Sequence, residues 1–230
     1  MTPLRVEYCG EWYTADPESG LAIGREADVS IDDNPYLHRS FLRLFVDHEM
    51  WWIGNVGTVL AATVTDASGH VQAWLGPGAR LPVVFEKLHV LFSAGATTYD
   101  FTIHGDGQLF ASTASFMRGS GATTMEPIPL TSSQRLLILS LAENVLRERI
   151  PGRSELPSSA AAAERLGWSM TTFNRKLDNV CDKLDKLGVL GLRGGRGNLA
   201  TGRRARLVEY AVSTRLVSAD DLALLDQPRE

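Results

Sequence analysis

A chain of 230 residues with a net charge of −4 has room for one large domain or two ordinary ones. Its 44% hydrophobic and 22% charged residues are those of a globular protein that buries real cores. No apolar run approaches the ~20 residues that a bilayer crossing needs, and Met1-Thr2-Pro3-Leu4-Arg5 lacks the pattern of a signal peptide. Cys9 and Cys181 stand far apart in sequence, so a disulfide framework is not expected and a reducing compartment fits. A cytoplasmic protein without a membrane partner is the expectation. The net charge hides a split: residues 1–130 carry 7 Lys and Arg against 15 Asp and Glu, residues 131–230 carry 16 against 12, and the stretch 165–206 carries 10 against 3. Such asymmetry suits one half to a polyanion, unless the basic stretch is only a solvated face.

Residues 1–110 predict an all-β sandwich or barrel. Short β-branched, aromatic or alternating runs at 29–31, 41–45, 51–53, 59–64, 71–75, 83–85, 89–92 and 99–103 are punctuated by glycine, proline, aspartate and asparagine. Asp66-Ala67-Ser68-Gly69 reads as a hairpin turn. Trp51 and Trp52 face opposite sides of any strand that holds both, and Trp52 is expected in the core with Trp51 as an exposed contact. Residues 111–129, rich in Ala, Ser, Thr and Gly and closed by Pro127 and Pro129, read as a flexible linker.

From residue 130 onward the period turns helical. Leu136, Leu137, Leu141 and Val145 share one face of a first helix capped by Thr131 or Ser132 and ended by Pro151-Gly152. Ser158 or Ser159 caps a second helix, 160–166, stopped by Gly167. Ser169 or Thr171 opens a third, with the stripe Phe173, Leu177, Val180, Leu184 and Leu187 before Gly188. Residues 189–192 and Leu199 flank Arg193-Gly194-Gly195-Arg196-Gly197-Asn198, expected to be a hairpin tip, and 203–216 and 220–225 close the chain as helices.

The strand half carries Ile23-Gly24-Arg25, then Asp28-Val29-Ser30-Ile31-Asp32-Asp33, Leu37-His38-Arg39-Ser40-Phe41, Trp52-Ile53-Gly54-Asn55-Val56-Gly57-Thr58 and Leu88-His89-Val90-Leu91-Phe92-Ser93-Ala94-Gly95. In this order and spacing the segments resemble a forkhead-associated (FHA) domain over residues 4–105. The resemblance implies a phosphothreonine-peptide site in loops at one end of a sandwich. A phosphate dianion needs a guanidinium, hydroxyl donors and backbone N–H groups. Arg25 matches the family's phosphate-pairing arginine, Thr58 a neighbouring hydroxyl, and Arg39 the arginine of its Ser-Arg-x-His motif. His38 stands where the family has a phosphate-contacting serine, Phe41 where it has a structural histidine, and Leu60-Ala61 where it has asparagine and glycine. His38 either donates to phosphate or packs at a loop. Arg25 either grips phosphate or pairs with Asp28, Asp32 or Asp33. Losing two charge-assisted contacts of about 1.5–3 kcal/mol each implies weak phosphopeptide affinity or none.

Helix, helix, tight turn, helix and a glycine-arginine hairpin form the order of a winged helix-turn-helix. Residues 160–184 resemble the helix-turn-helix units of bacterial regulators. Thr131-Ser132-Ser133-Gln134-Arg135 resembles the opening of actinobacterial proteins that fuse an FHA domain to a DNA-binding-like domain. The outward positions of the third helix hold Ser169, Thr171, Thr172, Asn174, Arg175, Lys176 and Asn179, residue types suited to phosphates and base edges. Arg193, Arg196, Arg203 and Arg204 are expected to grip the backbone as a wing. Such folds also dock proteins, and Asp178, Asp182 and Asp185 favour that use.

The five histidines show no ligand spacing with cysteine, and no Gly-x-Ser-x-Gly elbow or Walker loop appears. No enzyme, metal or cofactor is expected. The expectation is therefore two domains, an FHA-like β-sandwich at 1–110 and a mainly α winged helix-turn-helix at 130–230, joined by the linker 111–129. Its function would be that of a signal-responsive transcription regulator. Double-stranded DNA and a protein partner, with or without phosphothreonine, are the expected ligands, and a homodimer on a two-fold operator is compatible. The alternative is a protein-interaction adaptor that binds neither phosphopeptide nor DNA.

Overall fold

Alternation writes the first strand: in Leu4–Tyr8 (β1), Leu4, Val6 and Tyr8 are buried while Arg5 is exposed. The computed structural model describes residues 2–69, 71–105, 130–147, 152–192 and 200–227. The expected linker 111–129 and the residues Arg193, Arg196 and Leu199 lie outside the described residues.

The further strands are Glu11–Ala15 (β2), Leu21–Gly24 (β3), Val29–Ser30 (β4), Leu42–Asp47 (β5), Met50–Asn55 (β6), Ala62–Asp66 (β7), Gln72–Leu75 (β8), Arg80–Pro82 (β9), Lys87–Ala94 (β10), Thr97–His104 (β11) and Arg153–Glu155 (β12). One sheet has the order β2-β1-β11-β10-β7-β8, with β12 also paired to β11; the other has the order β4-β3-β5-β6-β9. Their inner faces share one core in which Ile23, Phe41, Leu44, Ile53, Phe92 and Phe101 are buried. This is the β-sandwich that the alternation predicts. Two of its hairpins turn in two residues of positive φ, Cys9-Gly10 and His48-Glu49, the geometry that matches strand twist.

Three expectations are corrected. Residues 83–85 form no strand; the strand there is β9, which pairs with Trp52, Ile53 and Gly54. Trp51 is the core residue and Trp52 is half-buried on the outer side, under the Arg80 guanidinium 4.5 Å from its ring. The parity follows from Ile53 and Asn55, buried on the same face as Trp51. The first arm of the expected wing is no strand: residues 189–192 hold a turn at Leu190-Gly191, with Leu192 buried.

The helices are Ser132–Arg147 (α1), Ser159–Arg165 (α2), Met170–Lys186 (α3) and Ala200–Ser213 (α4), followed by a 3-10 helix at Ala219–Leu225. Ser158 caps α2 by accepting from the Ala161 N–H, and Ser169 caps α3 by accepting from the Thr172 N–H. Gly167 takes φ +66 in the turn between them. Leu137, Leu141, Ala162, Leu166, Phe173, Leu177, Val180, Leu207 and Val208 build a second core.

The two cores are joined. Antiparallel β12 continues the column that β1 begins, β1 pairing with Thr102–His104 of β11 and β12 with Thr97–Tyr99. Helix α4 packs on β7, β10 and β11. It lies against the outward side of the sheet, where Thr63, Thr65 and Leu91 are buried although the inner core is built from their strand neighbours Ala62, Val64, Val90 and Phe92.

Candidate functional site

At one end of the sandwich three loops converge because backbones approach closely. The Arg25 N–H donates to the His38 carbonyl at 2.9 Å and the Glu26 N–H to the Arg39 carbonyl at 3.0 Å. Gly24 makes this possible, since a Cβ there would collide with the Arg39 carbonyl. The third loop is organised by Asn55, a buried residue whose role sequence reasoning missed. Its amide donates to the Leu60 and Leu75 carbonyls at 2.8 and 2.9 Å, and its Oδ1 accepts from the Gly57 N–H at 2.9 Å. The available signal was an amide within a strand, two residues before a glycine.

Arg25 is 22% exposed, its Nη2 is 3.5 Å from Glu26 Oε1, and its buried Nε has no partner among the described residues. The carboxylates considered for it lie elsewhere or bind otherwise. Asp28 accepts from the Ala22 N–H at 2.8 Å, and Asp32 accepts from the Tyr99 hydroxyl at 2.6 Å. Arg39 is exposed and 3.4 Å from Glu26. His38 turns inward. Its Nε2 faces the Thr58 N–H at 3.0 Å, the Val59 N–H at 3.3 Å and the Thr58 hydroxyl at 3.3 Å. A backbone N–H can only donate, so this nitrogen is an acceptor. Phe41 lies fully buried beneath, stacked on the His38 ring at 5.9 Å.

The second candidate surface is the outer face of α3. The inner stripe Phe173, Leu177, Val180 and Leu184 is buried, with Cys181 beside it, its thiol pushed up to about 11 by burial. Ser169, Thr171, Asn174, Arg175 and Asn179 are exposed together at helical spacing. Arg175 makes no ion pair among the described residues. Other residues singled out in the sequence are engaged. Ser169 and Thr172 are held by the cap, their hydroxyls 3.0 Å apart. Lys176 turns back to the Ser133 hydroxyl at 2.8 Å and over the Trp168 ring at 5.2 Å. Arg203 pairs with Asp178 at 2.8 Å. Arg204 donates to the Pro157 carbonyl at 2.7 Å in a part-buried position, where burial lowers its pKa.

Sequence reasoning also missed the groups that tie the modules together. Arg153 of β12 reaches Asp32 at 3.4 Å, beside the loop that carries His38. Arg206 of α4 bonds Glu209 at 2.7 Å, Thr63 at 3.1 Å and the Leu190 carbonyl at 3.0 Å. Among the described residues no cluster of His, Cys, Asp and Glu is arranged to hold a metal, and no helix is long and apolar enough to cross a membrane.

No protein-family model and no curated protein matches this chain. Among solved structures it is similar to Rv1747 FHA-1 of Mycobacterium tuberculosis, at 17% identity and a TM-score of 0.34, over 44% of this chain and 94% of that one. A score of that size supports no inference about what this chain binds.

Proposed function

We propose that the protein is a signal-responsive DNA-binding regulator in which α2 and α3 act as a helix-turn-helix and the sandwich receives a protein partner. The observation that carries this reading is the exposed face of α3. It gathers a hydroxyl, two carboxamides and a guanidinium without an ion pair among the described residues (Thr171, Asn174, Asn179 and Arg175) around the first three turns of the helix. Asparagine and arginine are the side chains that read adenine and guanine bidentately in a major groove, at about 1–3 kcal/mol per good contact. The helix N-terminus and its Ser169 cap suit a backbone phosphate. Arg203, partly exposed, can join them, because its partner Asp178 is exposed and an ion pair in contact with water holds only about 0–1 kcal/mol. A second copy on a two-fold operator would raise the affinity of one such helix.

The FHA-like motifs Gly24-Arg25, His38-Arg39 and Gly57-Thr58 meet at one end of the sandwich, and we assign this end to a phosphothreonine-type peptide of low affinity. Protein docking by α3 is the second reading, favoured by Asp178 and Asp182 on the same exposed face. Selection of the full chain against random duplex DNA separates the two. Enrichment of a defined sequence with steep salt dependence is expected; recovery of no sequence at low salt would move α3 to protein docking.

A further inference from the structure

Two of the buried side-chain nitrogens that lack a hydrogen-bond partner among the described residues, Arg25 Nε and His38 Nδ1, lie in the same loop cluster. Their neighbours show why. Because His38 Nε2 accepts from the Thr58 and Val59 N–H groups, the proton of the neutral ring sits on Nδ1. That nitrogen is wedged against Gly57, where an added Cβ would stand only 3.0 Å away. The ring thus takes up the adjacent N–H pair and the Thr58 hydroxyl while leaving its own N–H unsatisfied. Successive backbone N–H groups aimed at one point form a nest for an anion. The cation to complete it is near: the Arg25 backbone is bonded to the His38 carbonyl, and among the described residues its guanidinium pairs with Glu26 alone, at 3.5 Å.

We propose that His38 is an internal plug, its imidazole filling the donor nest that Thr58 and Val59 would otherwise offer to a phosphate dianion, so that the site accepts phosphate only when the ring swings out. This rests on the phosphopeptide reading of the sandwich and adds to it a gate. The low affinity then has a cause besides missing contacts, which is competition from a side chain of the same chain. His38 is thereby a specificity residue of opposite sign to a ligand, and its removal strengthens binding. Thr58 and Val59 are exposed, so the nest opens to solvent once the ring leaves.

The test uses the full 15N-labelled chain with N-acetyl-phosphothreonine amide and with inorganic phosphate as separate probes. His38→Ala is expected to bind both about tenfold more tightly than wild type, the worth of freeing two N–H donors, with the Thr58 and Val59 amide signals moving. His38→Gln supplies a carbonyl oxygen to the same donors and is expected to stay at the wild-type level. Arg25→Ala added to His38→Ala should cancel the gain. An Nε2–H tautomer of His38 in the free protein overturns the plug. So does a gain for the phosphothreonine amide without one for phosphate. An Nδ1–H tautomer with no gain in His38→Ala overturns the plug; no binding of either probe by wild type or His38→Ala overturns the phosphate reading of the sandwich as well, and leaves DNA binding by α3 to its own measurement.

Discussion

Thr63 of β7 donates its hydroxyl hydrogen to the carboxylate of Glu209 on α4, across the boundary between the two cores. Glu209 is only 4% exposed, and burial pushes its carboxyl up to about 7 although Arg206 and Thr63 favour the charged form. A folded-state value above the ordinary 4.5 means that the unfolded chain ionises more readily. The contribution of Glu209 to stability is therefore present below the unfolded value and lost as pH rises through about 7. In urea denaturation, wild type should lose up to roughly 3 kcal/mol relative to Glu209→Gln between about pH 5 and pH 8. His89, whose pKa burial lowers, acts in the opposite direction, but equally in both proteins. Parallel pH profiles would contradict the assignment.

The joint between the modules predicts that they unfold together. Strand β12 is hydrogen-bonded into the sandwich through the Asp100 N–H to the Gly152 carbonyl at 2.9 Å and the Leu156 N–H to the Ala96 carbonyl at 3.0 Å. Gln72 of β8 adds a bond to Ser213 of α4 at 2.7 Å. Calorimetry of the full chain should give one transition with matching calorimetric and van't Hoff enthalpies. Two separated transitions would show that the α4 and β12 contacts do not couple the cores.

Arg165, in the last turn of α2, holds α1 and the chain end. It meets both Glu143 oxygens at 3.0 and 3.2 Å and the Leu225 carbonyl at 3.3 Å, besides pairing with Asp226. Burial alone would raise the Glu143 pKa; hydrogen bonds from Arg165 and Arg147 outweigh it and hold the group below its ordinary value. Arg165→Met should cost about 1–2 kcal/mol at neutral pH, a figure reduced for partial exposure. The loss should shrink in acid as Glu143 becomes protonated. An unchanged midpoint at neutral pH would show that the cluster adds no stability.

Much of the fold is legible along the chain because local patterns carry it. The runs 51–53, 89–92 and 99–103 announce β6, β10 and β11, and the stripe from Phe173 to Leu184 announces α3, within a few residues of where they lie; β1 is not among the expected runs although Leu4, Val6 and Tyr8 alternate. The two tryptophans of β6 misled because adjacent aromatics give no parity by themselves; Ile53 and Asn55 decide it. Strand β12 was illegible, being Arg153-Ser154-Glu155 with no apolar alternation and a partner more than fifty residues earlier. The exposed α3 residues could be listed from helical period. The inward turns of Lys176 to Ser133 and of His38 to Thr58 could not, because each depends on a backbone or hydroxyl brought near by tertiary folding.

Arg175 and Lys176 are adjacent cations on α3 with opposite surroundings, one exposed and without an ion pair among the described residues, the other tied to Ser133 and Trp168. The direct test of the DNA reading is fluorescence anisotropy of the full chain on a selected duplex at two salt concentrations. Arg175→Ala should weaken binding to that duplex by about 1–3 kcal/mol and reduce its preference over scrambled DNA. Lys176→Ala should change DNA affinity little and lower thermal stability instead. Equal losses for the two variants, or no salt-dependent binding by wild type, would contradict the assignment of α3 as the DNA-reading helix.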